Sequence, residues 1–190
     1  FVESALGARR VAVFYSPTPG ATQLARRQRE AFERSGIRVL VYEPLAAGLA
    51  DFTPLLARVR DQGPDVLISN TFFADHLVLL RQMTQGATRL RAFLGAFGME
   101  FPDVIRSLGP GAEGLYGTTA WQPGIATPGQ EDQSQAFVEA FTKRFGAQPA
   151  PLAMHGYAAA RALLAALEAT ARGGRPLTGP ALRDAVAAAD

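Results

Sequence analysis

Apolar side chains recur along this chain with two different periods. Short β-branched and aliphatic runs suit strands buried on both faces. Between them, apolar residues return every third or fourth position, as on one face of a helix. Residues 10–16 (RVAVFYS) read as a strand, and Pro17-Thr-Pro-Gly20 as a turn before a helix capped by Thr22. That helix runs to about Arg34 and stops at Ser35 and Gly36. Residues 37–43 (IRVLVYE) form the next strand, so the opening is β-α-β with a right-handed crossover. Residues 52–60 form a helix with Phe52, Leu55, Leu56 and Val59 on one face and Pro54 in its first turn. Residues 65–69 are a strand, and the helix at 74–85 carries Leu77, Leu80 and Met83. A strand at 90–95, a short helix at 101–108 and a strand at 114–120 follow. Strand alternates with helix throughout, which predicts an α/β fold: an open, Rossmann-like parallel sheet with helices on both faces.

The alternation stops after Trp121. A loop with prolines and glycines (122–130) leads to three helical segments, at 132–145, 151–172 and 178–189, with no strand among them. Three helices without a sheet cannot complete such a domain. The expectation is therefore an α/β lobe over 1–120, with 121–190 supplying helices to a second lobe that is incomplete in this sequence. The first eight residues read like the last turns of a helix ending at Gly7. That too predicts a fragment lacking its N-terminal part.

Composition narrows the function. Nineteen basic and 17 acidic side chains leave a net charge of +2, without the clustered basic excess of a nucleic-acid surface. Cysteine is absent, so disulfide scaffolds, thiol catalysis and cysteine-bound metals are excluded. The two histidines, His76 and His155, lack partners at metal-ligand spacing. His76 is expected on the first turn of its helix near a cleft rim, and His155 on a helix surface or between lobes. No G-x-S-x-G elbow or phosphate-binding G-x-x-x-x-G-K-[ST] loop occurs. Gly109-Pro-Gly-Ala-Glu-Gly114 has glycines at dinucleotide-motif spacing, but it follows a helix and precedes a strand, the reverse of that motif. It reads as a turn. Neither a catalytic residue nor a cofactor is predicted, and a dinucleotide-using enzyme is disfavoured.

What remains is a set of loops at strand ends: 16–21, 70–73 and 97–100. In an open parallel sheet, ligands bind on such loops. Ser16, Thr18, Gly20, Ala21, Asn70, Thr71, Phe72, Phe73, Phe97 and Glu100 are the candidate ligand-binding residues. They are small, hydroxylated or aromatic, and few titrate. That composition suits recognition rather than acid–base chemistry. The competing reading places Phe72, Phe73 and Phe97 in the core.

The sequence resembles the periplasmic solute-binding proteins of branched-chain amino-acid ABC transporters, the leucine/isoleucine/valine type. The resemblance runs through 10–16, Asp51-Phe-Thr-Pro-Leu-Leu-Ala-Arg-Val59, Pro64-Asp-Val-Leu-Ile68 and Leu79-Leu-Arg-Gln82. It continues in Ala112-Glu-Gly-Leu115, Trp121-Gln-Pro123, 137–145, Gln148-Pro149 and Tyr157-Ala-Ala-Ala-Arg-Ala-Leu163. It implies a type I periplasmic-binding-protein fold of two lobes, with 1–120 as the second lobe and a hinge near 120–123. It also implies a periplasmic or extracellular location, a small amino-acid or apolar carboxylate ligand in the cleft, and a membrane permease as partner. The signal peptide is not in this chain. A sensor or repressor effector domain of the same fold is the alternative. Where amino-acid binders of this family tend to have a tyrosine, this chain has Gly20. The aromatic position after the third strand is kept as Phe72 or Phe73. Where an acid can face the ligand's ammonium there is Phe97, with Glu100 close by. A buried ammonium without a carboxylate partner is costly, so the expected ligand is less cationic and more apolar than a free amino acid.

Overall fold

The computed structural model describes residues 1–86, 88–125 and 128–188. Among these, five strands form one sheet: β1 (Arg10–Tyr15), β2 (Arg38–Pro44), β3 (Val66–Asn70), β4 (Ala92–Gly95) and β5 (Leu115–Gly117). All neighbours are parallel, in the order β2-β1-β3-β4-β5. The connecting helices are α1 (Pro19–Arg34), α2 (Thr53–Gln62), α3 (Phe73–Gln85) and α4 (Pro102–Leu108).

Side-chain alternation along the strands divides the core in two. Val11 and Val13 of β1, with Val66 and Ile68 of β3, pack with Ala25 and Phe32 of α1 and with Val2 and Leu6 of the opening turns. Ala12, Phe14 and Leu67 point the other way, onto Leu56 and Val59 of α2 and Leu79, Leu80 and Met83 of α3. At the amino ends of the strands, Asp65 holds the sheet together. Its Oδ2 accepts the Arg9 and Arg10 amides at 2.9 Å, and its Oδ1 accepts the Arg10 guanidinium at 2.8 Å. The Arg10 hydrogen bond is the main reason its carboxyl is lowered to about 2. On the α2–α3 face, the Gln82 side chain accepts the Phe52 amide at 2.7 Å and donates to the Ala50 carbonyl at 2.9 Å.

Several boundaries depart from the sequence reading. α1 begins at Pro19, with Thr18 as an extended N-cap that makes no side-chain cap bond, so Thr22 lies inside the helix. Proline's missing N–H costs nothing at a first helical position, and the expected turn is therefore the helix start. β4 starts at Ala92 rather than Leu90. β5 is only three residues long, its pairing stopping at Gly117 opposite Gly95, the last residue of β4. His76 lies in the early part of α3 as expected, but it is fully buried and not on a rim. The 109–114 segment is a short 3₁₀ turn into β5.

The chain divides into two compact units, Phe1–Thr119 and Ala120–Asp190. The second contains α5 (Glu131–Phe145), α6 (Pro151–Arg172) and α7 (Gly179–Ala187). The expected end of α7 at Ala189 lies outside the described residues. In this unit the buried Trp121 indole donates to Ser134 Oγ at 2.8 Å and meets Phe137 edge-on. Leu163 and Leu164 of α6 are exposed, as is His155. No helix among the described residues is long and apolar enough to cross a membrane.

Candidate functional site

The strand order places a topological switch between β1 and β3, since the chain leaves β1 toward β2 and later returns to β1's other side. Loops beyond the carboxyl ends of two such strands diverge and leave a crevice. The three candidate loops follow β1, β3 and β4, which are adjacent in the sheet. Main-chain bonds tie them together: the Ser16 amide donates to the Asn70 carbonyl at 3.1 Å, and the Ala96 amide to the Ser69 carbonyl at 2.9 Å.

The candidate residues fall into two groups. Asn70 and Thr71 are fully buried. Asn70 forms a reciprocal amide pair with Gln28 of α1, at 2.6 and 3.3 Å, and Thr71 Oγ1 lies 2.9 Å from Ser69 Oγ. Ser16 and Ala21 are buried as well. These four side chains shape the loops from within. Phe73 turns inward against Phe101, with ring centroids 5.8 Å apart. Gly98 makes this possible: its φ is +84°, and a Cβ there would lie 2.8 Å from the Phe73 Cβ.

Four candidates face outward. Thr18 and Gly20 are exposed at the start of α1. Phe72 and Phe97 are 47% and 37% exposed and stack on each other, with centroids 5.6 Å apart and planes 23° from parallel. Each ring thus keeps an apolar surface open to solvent. The start of α3, which presents Phe72, is fixed by the Asp75 carboxylate, which accepts the Phe72 amide at 3.4 Å as half of a capping box. Glu100 is partly buried, and its Oε2 is shielded from solvent with no hydrogen-bond partner.

Among the described residues no cluster of side chains could hold a metal. The titratable group most altered by its surroundings near these loops is His76, whose imidazole is lowered chiefly by burial. Sequence reasoning set it aside for want of metal-ligand spacing. Its position at the fourth residue of a helix that follows a buried strand was the signal available. Two concavities of about 760 and 460 Å³ occur elsewhere, within Ala120–Asp190. They are gaps between α5, α6 and α7 and contain none of the candidate residues.

A model of the family described as periplasmic binding protein matches residues 1–190. The chain belongs to the periplasmic binding protein family. Its fold is the type I fold of that family, which is one of solute-binding proteins. A leucine binding protein from Thermotoga maritima superposes with a TM-score of 0.84 at 26% identity, over 98% of this chain and 51% of that one. A Rhodospirillum rubrum protein described as a branched-chain amino acid ABC transporter gives a TM-score of 0.74 at 30% identity, over 97% and 51% of the two chains. In sequence, the Leu/Ile/Val-binding protein homolog 7 of Brucella abortus is 24% identical over 164 residues, 83% of this chain and 40% of that protein. This periplasmic binding protein chain thus spans about half or less of the length of these relatives.

Proposed function

We propose that this chain contributes to the extracytoplasmic substrate-binding component of an ABC importer. In this reading, 1–120 is the second lobe of the receptor and 121–190 carries the crossover and helices of the first. The ligand is a small apolar or aromatic carboxylate, and a membrane permease receives it. The observation that carries the reading is the Phe72–Phe97 stack, half open to solvent at the carboxyl ends of β3 and β4 in a member of this family. The ligand's apolar body lies on these rings, beside Thr18 and Gly20. Phe97, standing where an acid can face a ligand's ammonium, supports a ligand without an ammonium group. Covering one phenyl ring contributes about 1.5–3 kcal/mol. Micromolar affinity needs about 8 kcal/mol, so polar contacts from outside this half-pocket complete the site.

Isothermal titration of the receptor carrying both lobes with benzoate, hexanoate and L-leucine tests this. Benzoate or hexanoate is expected to bind at least tenfold more tightly than leucine. Tighter binding of leucine overturns the ligand class, and binding of none of the three overturns the receptor reading for such ligands.

A further inference from the structure

One buried side chain beside the Phe72–Phe97 loops has no part in that reading. His76 is fully buried. Its backbone amide donates to the Phe72 carbonyl at 3.0 Å. Its ring Nε2 lies 3.2 Å from the Ser69 carbonyl, which can only accept, so Nε2 carries the proton. The same carbonyl accepts the Ala96 amide at 2.9 Å. One oxygen near the end of β3 therefore gathers α3 and the start of the β4–α4 loop. The ring stands edge-on to Phe93 of β4, with centroids 5.8 Å apart, and a Cβ on Gly95 would lie 3.1 Å from His76 Cε1. Nδ1 has no hydrogen-bond partner among the described residues.

An apolar side chain of similar volume would fill this space without burying an unpaired acceptor, which destabilises a fold. The imidazole N–H is what such a replacement would lose. We propose that His76 is a positioning residue for the aromatic pair: through the Ser69 carbonyl and its own helix it fixes the β3–α3 loop against the β4–α4 loop, and so sets the separation at which Phe72 and Phe97 stack. The effect on binding rests on the receptor reading, whereas the effect on the loops does not. Burial is the main cause and lowers the imidazole, while the Ser69 carbonyl, Asp75 and the Phe97 carbonyl act the other way. The ring is therefore neutral at pH 7, with its single proton available to Ser69. The other titratable side chains on the elements around it are Asp75 and Arg81 on its own helix, Glu100 on the β4–α4 loop and the Asp103–Arg106 pair of α4.

Two variants test the proposal. His76→Phe keeps the bulk and removes the donor, and His76→Gln keeps a donor that can reach Ser69. NMR of phenylalanine-labelled protein reads the mutual ring-current shifts of Phe72 and Phe97, and titration reads affinity for benzoate. His76→Phe is expected to melt at or above the wild-type temperature, lose those shifts and bind benzoate at least fivefold more weakly. His76→Gln restores both. Unchanged shifts in His76→Phe overturn the positioning role, as does a loss that glutamine does not repair. Lost shifts with unchanged affinity overturn its bearing on binding. If the wild-type protein binds no benzoate, the ligand reading fails and the shifts alone decide. Imidazole ¹⁵N shifts of the wild type at pH 7 must show the Nε2–H tautomer. The other tautomer overturns the proposal even if a variant does not fold.

Discussion

Phe72 and Phe97 are two exposed rings that a folded protein has no need to display, and they already stack on one another. Removing either takes away both its own contact with the ligand and the support it gives the other. Phe72→Ala and Phe97→Ala are each expected to weaken benzoate binding about tenfold, equivalent to about 1.4 kcal/mol, with little change in melting temperature because neither ring is in the core. Titration and thermal melts of the same samples check this. Phe73 is half-buried and packs against Phe101 and Gly98. Phe73→Ala removes that contact and should cost about 1–2 kcal/mol of stability, measured by urea unfolding. The sequence showed three phenylalanines at two neighbouring strand ends, Phe72 and Phe73 after β3 and Phe97 after β4. It could not show that one of them turns inward, because that depends on Gly98 approaching from another loop.

At the scale of elements, the alternation of periods was enough to find all five strands and the four helices between them, because the central strands β1 and β3 are buried on both faces and the helices on one. The start of α1 was missed: two prolines look like a turn, yet the second is a favourable first helical residue. The short β5 was overextended because its pairing stops at Gly117, opposite Gly95 where β4 ends. The loops that carry the candidate site were legible as strand ends. Their hydrogen bonding, such as the Asn70–Gln28 pair that joins β3 to α1, was not, since its partners are 42 residues apart. Asn70→Ala leaves the Gln28 amide without that partner and should destabilise by about 1–2 kcal/mol, read in urea unfolding.

For the whole molecule, Asp65 and His76 contribute to the response to acid. Asp65 has a folded value of about 2, below its ordinary 3.8. Its contribution is complete above pH 4 and is lost as the pH falls toward 2. His76 is also lowered, from 6.5. As the pH falls below 6.5, the unfolded chain takes up a proton that the buried ring refuses, so stability declines by up to about 1.4 kcal/mol per pH unit. Urea unfolding of the wild type between pH 7.5 and 5 should show this slope, and His76→Phe should flatten it. Gln82, by contrast, responds to no pH. Its side chain meets the amide that opens α2 and a carbonyl just before it, although it belongs to α3. The first turn of one helix is thus held by a neighbour some thirty residues downstream. If α3 frays, the cap on α2 goes with it. The two helices should then exchange their amide protons as a single cooperative block, each as long-lived as the other permits.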